Sequence, residues 1–533
     1  MLFILFFVIL RNIITRLSSS KTLLLKGNIM KKINPVMISG KEVIPLIEGG
    51  KGIAVSDGQS SGAWAKAGAV GTISGVFADE YDENGKVIPK VYTQKTRPER
   101  HKELIEMSIR GGISQAKIAH EIAGGNGRIH MNVLWEMGGS IPILEGVMNA
   151  CEQVMTNLRE KAPEKYQEKI VAMGEKVQET LGSLRFQYQK RMGEAVPVVD
   201  GMLDKVHNLV HGITCGAGMP YKLAEIASKY GLYYYPIVSS ARAFRALWLR
   251  SYKNCMEFLG GVVYEDPWRA GGHNGLSNSE NPEKPESPYM RLVELRKQLN
   301  EYNLHHVPLI MAGGVWNLSE FEDLIDNPEI GPIAFQLGTR PLLTKESPVA
   351  KAWQGCLRAL KKGDIILQRF SPTGFYSSAV NNKFLRTLME RKDTEMPYTE
   401  KPEGIFVKPF AISQAHTVYL TEHDFKRANE FINGPRPVAV RTPDNSIIFL
   451  SNNEHEQIKY DRANCVGCLS ACAFSGWSQA NGHLDRLPDS RSFCINKTLT
   501  AIAHGESIDN NLMFCGHSGY RFGEDPMYKN GNI

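Results

Sequence analysis

The chain has 533 residues, enough for a large core and more than one unit, and a globular composition of 42% hydrophobic and 22% charged residues. Its net charge of +6 is small for that length and forms no basic block, which argues against a nucleic-acid partner. Nine cysteines, five of them after residue 460, do not make a disulfide framework and instead suit a reduced, cytoplasmic setting with one specialised site.

In chain order, residues 1–29 differ from all that follows. The run "MLFILFFVIL" is apolar but shorter than the roughly 20 residues that span a bilayer, and Arg11, Arg16 and Lys21 follow it instead of preceding it, so it makes a poor signal peptide. Met30 opens what reads as an ordinary cytosolic start, which leaves 1–29 a doubtful extension or weak peripheral anchor; membrane association is not expected. From residue 44, short apolar runs alternate with helical patterns. The runs 44–47, 70–74, 129–134, 208–213, 233–238, 261–265, 307–312 and 332–337 are rich in Val, Ile or Tyr, and most end in glycine or a polar residue. Buried parallel strands entering βα loops read this way. Eight of them predict an α/β fold, a (β/α)8 barrel, over 30–395.

Two insertions break the rhythm. The polar loop from Asp79, with a turn at Asn84-Gly85, predicts a small hairpin or lid, and the charged segment 152–195, broken near Pro163, predicts a helical pair on the barrel flank. Beyond 395 the sequence reads as extended segments, a cysteine cluster and a terminal helix around 497–504, so 396–533 is expected to be an appended cysteine-rich unit.

The stretch "YEDPWRAGGHNG" places His273 among Gly271, Gly272 and Gly275 directly after a strand-forming run. Glycine lets backbone pass close to a ligand, so this imidazole is a candidate functional group, although a surface turn would have the same composition. Gly313-Gly314 in "VPLIMAGGVWNLSEFEDLI" and Gly338-Thr339 in "PIAFQLGTRPLLTKES" fall where the seventh and eighth strands turn towards helices. Those loops grip phosphate in many barrels, through bare backbone N–H groups and a helix N-terminus. Either pair alone signals only a tight turn; together they point to a phosphorylated cofactor or substrate.

The order "PLIEGGKGIAVSDGQSSGAWAKAGAVGTISG", "IHMNVLW", "GITCGAGMP", "RAGGHNG", "PLIMAGGV", "QLGTR" and "FSPTGFYSSAVNNKFLRTL" resembles the nitronate monooxygenase family, which includes flavin-dependent enoyl-acyl-carrier-protein reductases II. The resemblance runs from about residue 40 to 395. It implies non-covalent FMN, with Gly49, Gly50 and Asn132 beside the isoalloxazine and Gly313, Gly314, Gly338 and Thr339 at the phosphate. His273 falls on the family's active-site histidine, and Gly272 would let its loop approach flavin and substrate. Two departures stand out. Arg269 replaces an acidic or small residue before "AGGH" and would favour an anionic substrate unless it pairs with a carboxylate; Lys51 stands where a methionine usual in the family follows the two glycines. Cys215 reads as a small buried hydrophobe more than as a nucleophile.

"CVGCLSAC" and "SFC" supply Cys465, Cys468, Cys472 and Cys494, a set suited to a tetrahedral zinc or an iron–sulfur cluster. The run resembles that of flavin-dependent dienoyl-CoA reductases, with a longer gap to the fourth cysteine. It is also similar to the tails of some members of the nitronate monooxygenase family, which makes Cys515 and His517 reserve ligands. Iron–sulfur is expected ahead of zinc, because a flavin neighbour gives an electron-transfer site a purpose.

The leading expectation is therefore an FMN-dependent oxidoreductase that oxidises alkyl nitronates with oxygen or another electron acceptor. The alternatives are an NAD(P)H-dependent flavin reductase of an enoyl thioester or quinone, and a non-catalytic protein binding a metal or phosphate ligand. A homodimer is compatible with all three.

Overall fold

The computed structural model describes residues 24–25, 28–29, 31–135, 137, 141–150, 209–277, 279–480 and 486–529. Most of the expected N-terminal extension and all of the expected helical pair 152–195 lie outside these residues.

Eight parallel strands close into a barrel: β1 (Leu46–Glu48), β2 (Val70–Ser74), β3 (Arg128–Leu134), β4 (Gly212–Gly216), β5 (Tyr233–Val238), β6 (Val262–Glu265), β7 (Leu309–Ala312) and β8 (Ile333–Leu337). They pair in sequence order, and β8 returns to β1 through Leu337 and Glu48. All eight runs expected from the sequence overlap these strands. The largest shift is at β4, which lies four residues further along than the run 208–213 suggested. The protein is an α/β barrel of (β/α)8 type.

The inward layer comes from side chains two residues apart on each strand. Ile47, Val70, Tyr235, Val263, Ile310, Ala312 and Ala334 form one buried cluster with Ile38 and Val43 of the N-terminal hairpin. That hairpin pairs Val36–Ile38 with Lys41–Val43 and plugs one end of the barrel, where Ser39 bonds Tyr235 and His130. The plugged end holds the strands' N-termini; the other end is left for function, as in barrels generally.

Helix α1 (Gly58–Lys66) packs on α2 (Arg97–Ala123) through small residues. A Cβ at Gly62 would press on Ile122, and one at Gly58 on Ile118. Helix α2 starts with a capping box between Thr96 and Glu99 and stops at left-handed Gly124. The loop after Asp79 is a hairpin, Glu80–Tyr81 against Val87–Ile88, with the Asp82 carboxylate accepting from the N–H groups of Asn84 and Lys86.

Two further strands, β9 (Ile365–Gln368) and β10 (Ser377–Val380), form an antiparallel sheet with the short strand Gly272–His273. This sheet fixes the position of His273. Beyond it, Met396, Phe410, Val418, Leu420, Ile447 and Phe449 make a satellite core of their own, whereas Cys465, Cys468, Cys472, Phe474 and Trp477 belong to the same buried cluster as the barrel helices. As a domain division, the boundary near 395 therefore remains a proposal best suited to 396–450. The helices Glu422–Ile432 and Asn452–Ala463 in this part were not anticipated from sequence.

Candidate active site

The C-terminal ends of the barrel strands open on a cavity of about 970 Å³. That is the upper end of the roughly 300–1,000 Å³ usual for ligand sites. Every residue expected from sequence to hold cofactor or carry a proton lines it: Gly49, Gly50, Asn132, Gly272, His273, Gly313, Gly314, Gly338 and Thr339.

Gly313 and Gly314 both have positive φ, 86° and 76°, and follow β7; Gly338 and Thr339 follow β8. The elements they lead into are 3₁₀ turns of four residues, Leu318–Phe321 and Arg340–Leu343, and not the longer helices expected from sequence. Anion binding here would thus rest on loop N–H groups more than on a helix dipole. A Cβ at Gly338 would meet no protein atom within 4 Å, so the bare backbone faces open cavity there. Beside it, a Cβ on Gly50 would overlap the Asn132 side chain. The cavity therefore has both the room and the backbone cradle that a phosphorylated ring cofactor needs.

His273 stands half-buried on the cavity wall, in the sheet with β10. Its Nε2 shares a hydrogen bond of 2.5 Å with Ser371 Oγ, and its ring meets Phe514 edge-on at 5.1 Å between centroids. Burial pushes its pKa down to about 4, which keeps the imidazole neutral at physiological pH. A neutral imidazole is a proton acceptor in waiting.

Sequence reasoning missed three features of this wall. Ser371, the partner of His273, sits inside the quoted motif "FSPTGFYSS" but carried no signal of its own. Glu265 ends β6 two residues after inward-facing Val263 and lines the cavity; burial, then the neighbouring Asp266, raises its carboxyl to about 8. An acidic residue closing the strand run "VVYE" could have drawn attention to it. The third is the C-terminal tail, whose Phe514, Cys515 and Ser518 line the same cavity.

The tail also corrects two expectations. Gly271 is glycine because the backbone of Cys515 and Gly516 passes where its Cβ would be, so part of the glycine richness around His273 serves this crossing and not a ligand. Cys515 and His517, held in reserve as metal ligands, belong to the barrel mouth instead. The Gly516 N–H donates to Thr339 Oγ1 at 2.9 Å, and His517 Nε2 lies 3.3 Å from Ser378 Oγ.

Arg269 is not among the residues lining the cavity; its half-exposed side chain pairs with buried Asp266 at 3.5 Å, the carboxylate partner that the sequence left open. Lys51 does line the cavity, and its ammonium pairs with fully buried Glu48 at the end of β1, which also accepts from Ser60 Oγ and, at 3.3 Å, the Thr72 N–H. Lys51 thus neutralises a carboxylate that the barrel rim would otherwise bury alone. Cys215 is fully buried, and burial raises its thiol further, as befits a core residue.

Glu265 gives a prediction about stability. Below about pH 4.5 its carboxyl is protonated folded or unfolded. Between there and about pH 8 only the folded state holds the proton, so the destabilisation grows as pH rises and then levels. Glu265→Gln should therefore raise the thermal midpoint of the flavin-free protein more at pH 8.5 than at pH 5. An equal change at both values would show that the carboxyl titrates normally.

Cys465, Cys468, Cys472 and Cys494 come together around a second, smaller cavity of about 230 Å³, next to Tyr92. Among the described residues, no group of three or more His, Cys, Asp or Glu side chains is arranged to hold a metal ion. No described helix is long and apolar enough to cross a membrane.

A closed parallel barrel whose strand C-termini open on a glycine-lined, histidine-bearing cavity defines the class, an α/β-barrel protein with its site at the usual end. A family model, nitronate monooxygenase, matches residues 104–456, about two thirds of the sequence, and the chain belongs to that family. It is an enzyme, a flavin-dependent oxidoreductase of nitronate monooxygenase type, which removes the reading of a non-catalytic binding protein. Three solved structures are distantly similar. FabK from Thermotoga maritima is 15% identical over 65% of this chain and 74% of that one, with a TM-score of 0.35. Nitroalkane oxidase from Streptomyces ansochromogenes is 16% identical over 64% and 78%, with a TM-score of 0.38. The enoyl reductase domain of MlnA from Bacillus amyloliquefaciens is 12% identical over 90% and 88%, with a TM-score of 0.45. No curated protein matches the chain in sequence.

Proposed function

We propose that the chain binds FMN in the large cavity and oxidises alkyl nitronates with oxygen, with His273 as the base that forms the nitronate when the substrate arrives as the neutral nitroalkane. The observation that carries this reading is the placement of a neutral imidazole on the wall of the cavity that the glycine loops after β7 and β8 also line. Gly313, Gly314 and Gly338 would hold the phosphate, and Gly49, Gly50 and Asn132 the ring. Bound there, the flavin supplies an electron acceptor next to the substrate carbon.

The chain's own residues do the rest. Ser371 Oγ engages Nε2 of His273 and orients the ring, which leaves Nδ1 as the nitrogen to take the proton from the carbon beside a nitro group. Phe514 packs edge-on against the imidazole and is part of the burial that keeps it neutral, and so free to accept a proton.

A second reading, reduction of an enoyl thioester or quinone with NAD(P)H as donor, is favoured by the size and lining of the cavity. It runs from the glycine loops out to Ser239, Arg242 and Glu294, far more room than a small nitronate fills. Anaerobic mixing of the purified yellow protein separates the two. Bleaching of the flavin band by nitronate but not by NADH or NADPH is expected; rapid bleaching by a reduced nicotinamide would replace the first reading with the second. Both stand whether or not the tail carries another cofactor.

A further inference from the structure

We infer that Cys465, Cys468, Cys472 and Cys494 hold an iron–sulfur cluster of cubane size, in a cavity that shares the lining residue Ile495 with the large one. The inference concerns the tail alone and does not depend on which substrate the barrel takes.

All four cysteines line the same cavity of about 230 Å³, and Cys465, Cys468 and Cys472 are buried at 8%, 7% and 7% exposure. Their spacing in "CVGCLSAC" lets one compact loop present three sulfurs to a common point, while Cys494 arrives from a later element. The Gly467 N–H donates to Cys465 Sγ at 3.4 Å, and the Ser475 hydroxyl donates to Cys472 Sγ at 3.6 Å. Donors to sulfur stabilise sulfur that carries negative charge, and such bonds are a regular part of cluster sites. Cys494 is in addition the N-cap of α3 (Ile495–His504), so the positive end of a ten-residue helix faces the group.

Size separates the two metals weighed from the sequence. Zinc bonds sulfur at about 2.3 Å, which draws four tetrahedral sulfurs to within about 3.8 Å of one another. Among the described residues no grouping of His, Cys, Asp or Glu is arranged to hold a single ion, yet all four cysteines line one shared cavity. A cluster of several iron and sulfide atoms holds its cysteines further apart and fills such a space.

The position ties this site to the barrel. Ile495, next to Cys494, lines both cavities, and Leu469, next to Cys468, lines the large one and bridges to Met137. Arg100 of α2 clamps the loop by donating to the carbonyl of Cys465 at 3.2 Å and that of Ala463 at 2.7 Å.

The test uses the full chain, purified without oxygen and reconstituted with ferrous iron and sulfide. About four iron and four sulfide per chain are expected, with a paramagnetic resonance signal after dithionite reduction. Cys468→Ser and Cys494→Ser should each lose the iron, whereas Cys255→Ser, away from the cavity, should keep it. One zinc per chain without iron, no metal after reconstitution, or undiminished iron in Cys468→Ser would overturn the inference. The iron count is read on the unmutated protein first, so a variant that misfolds cannot mask the outcome. Iron without flavin would leave the cluster standing and end the flavin reading alone.

Discussion

The His273→Ala protein should stay folded and yellow but turn over neutral nitroalkanes about 10²- to 10⁴-fold more slowly, the usual worth of a positioned general base. The loss should be much smaller on a nitronate prepared in advance, because that substrate has already given up its proton. This contrast is what a purely structural role for the imidazole would not produce. The pH dependence follows from the same burial. With its pKa pushed down to about 4, His273 is a competent base everywhere above that value. The rate on neutral nitroalkane should rise through about pH 4 and be flat by pH 7, apart from any titration of the substrate itself. A rate that climbs between pH 6 and 7 and tracks His273 would mean that the ring titrates as it does in water, and that the closed wall formed with Ser371 and Phe514 does not persist in the working enzyme.

Gly338→Val should cost flavin and spare the fold. Gly338 has no positive φ to strain a side chain, and a Cβ there touches no protein atom within 4 Å. Urea unfolding of the flavin-free variant should then differ from the parent by no more than about 0.5 kcal/mol, the range of substitutions that disturb no packing. Flavin is another matter, because the new methyl groups would occupy the space assigned to the phosphate. Affinity for FMN, measured by quenching of its fluorescence, should fall roughly 10- to 100-fold for each charged hydrogen bond displaced. Unchanged affinity would mean that the loops after β7 and β8 are turns and nothing more. Gly50→Ala makes a poorer probe, since its Cβ would overlap Asn132 and disturb the wall directly.

How much of this was legible without coordinates depended on whether the signal was local. The strands β2 and β5 fall on the residues the runs marked, because largely buried parallel strands are rich in Val, Ile and aromatic residues, with small residues such as those of β2 tolerated between them. β4 was displaced along the chain because "GITCG" carries two glycines that mask its strand character, while the preceding Leu209 and Val210 looked like strand but lie outside it. His273 and the four glycine-loop positions were visible because a strand end followed by glycine is a short-range pattern. Ser371, Glu265 and Phe514 were not. Their roles come from sequence separations of 98 residues for the His273–Ser371 bond and from a tail that crosses the barrel rim, and no periodicity encodes a contact of that kind.

By itself the sequence determined the parallel barrel, the end of it that would carry chemistry, and the set of cysteines, since each follows from the order of residue types along one segment. Only the tertiary structure decided which carboxylates Arg269 and Lys51 pair with, why Gly271 must be glycine, and that Cys515 lines the large cavity while Cys494 lines the other. The physical reason is that charge pairing, backbone crossings and cavity walls are made between segments far apart in the chain, where the closing of the barrel and the return of the tail set the distances.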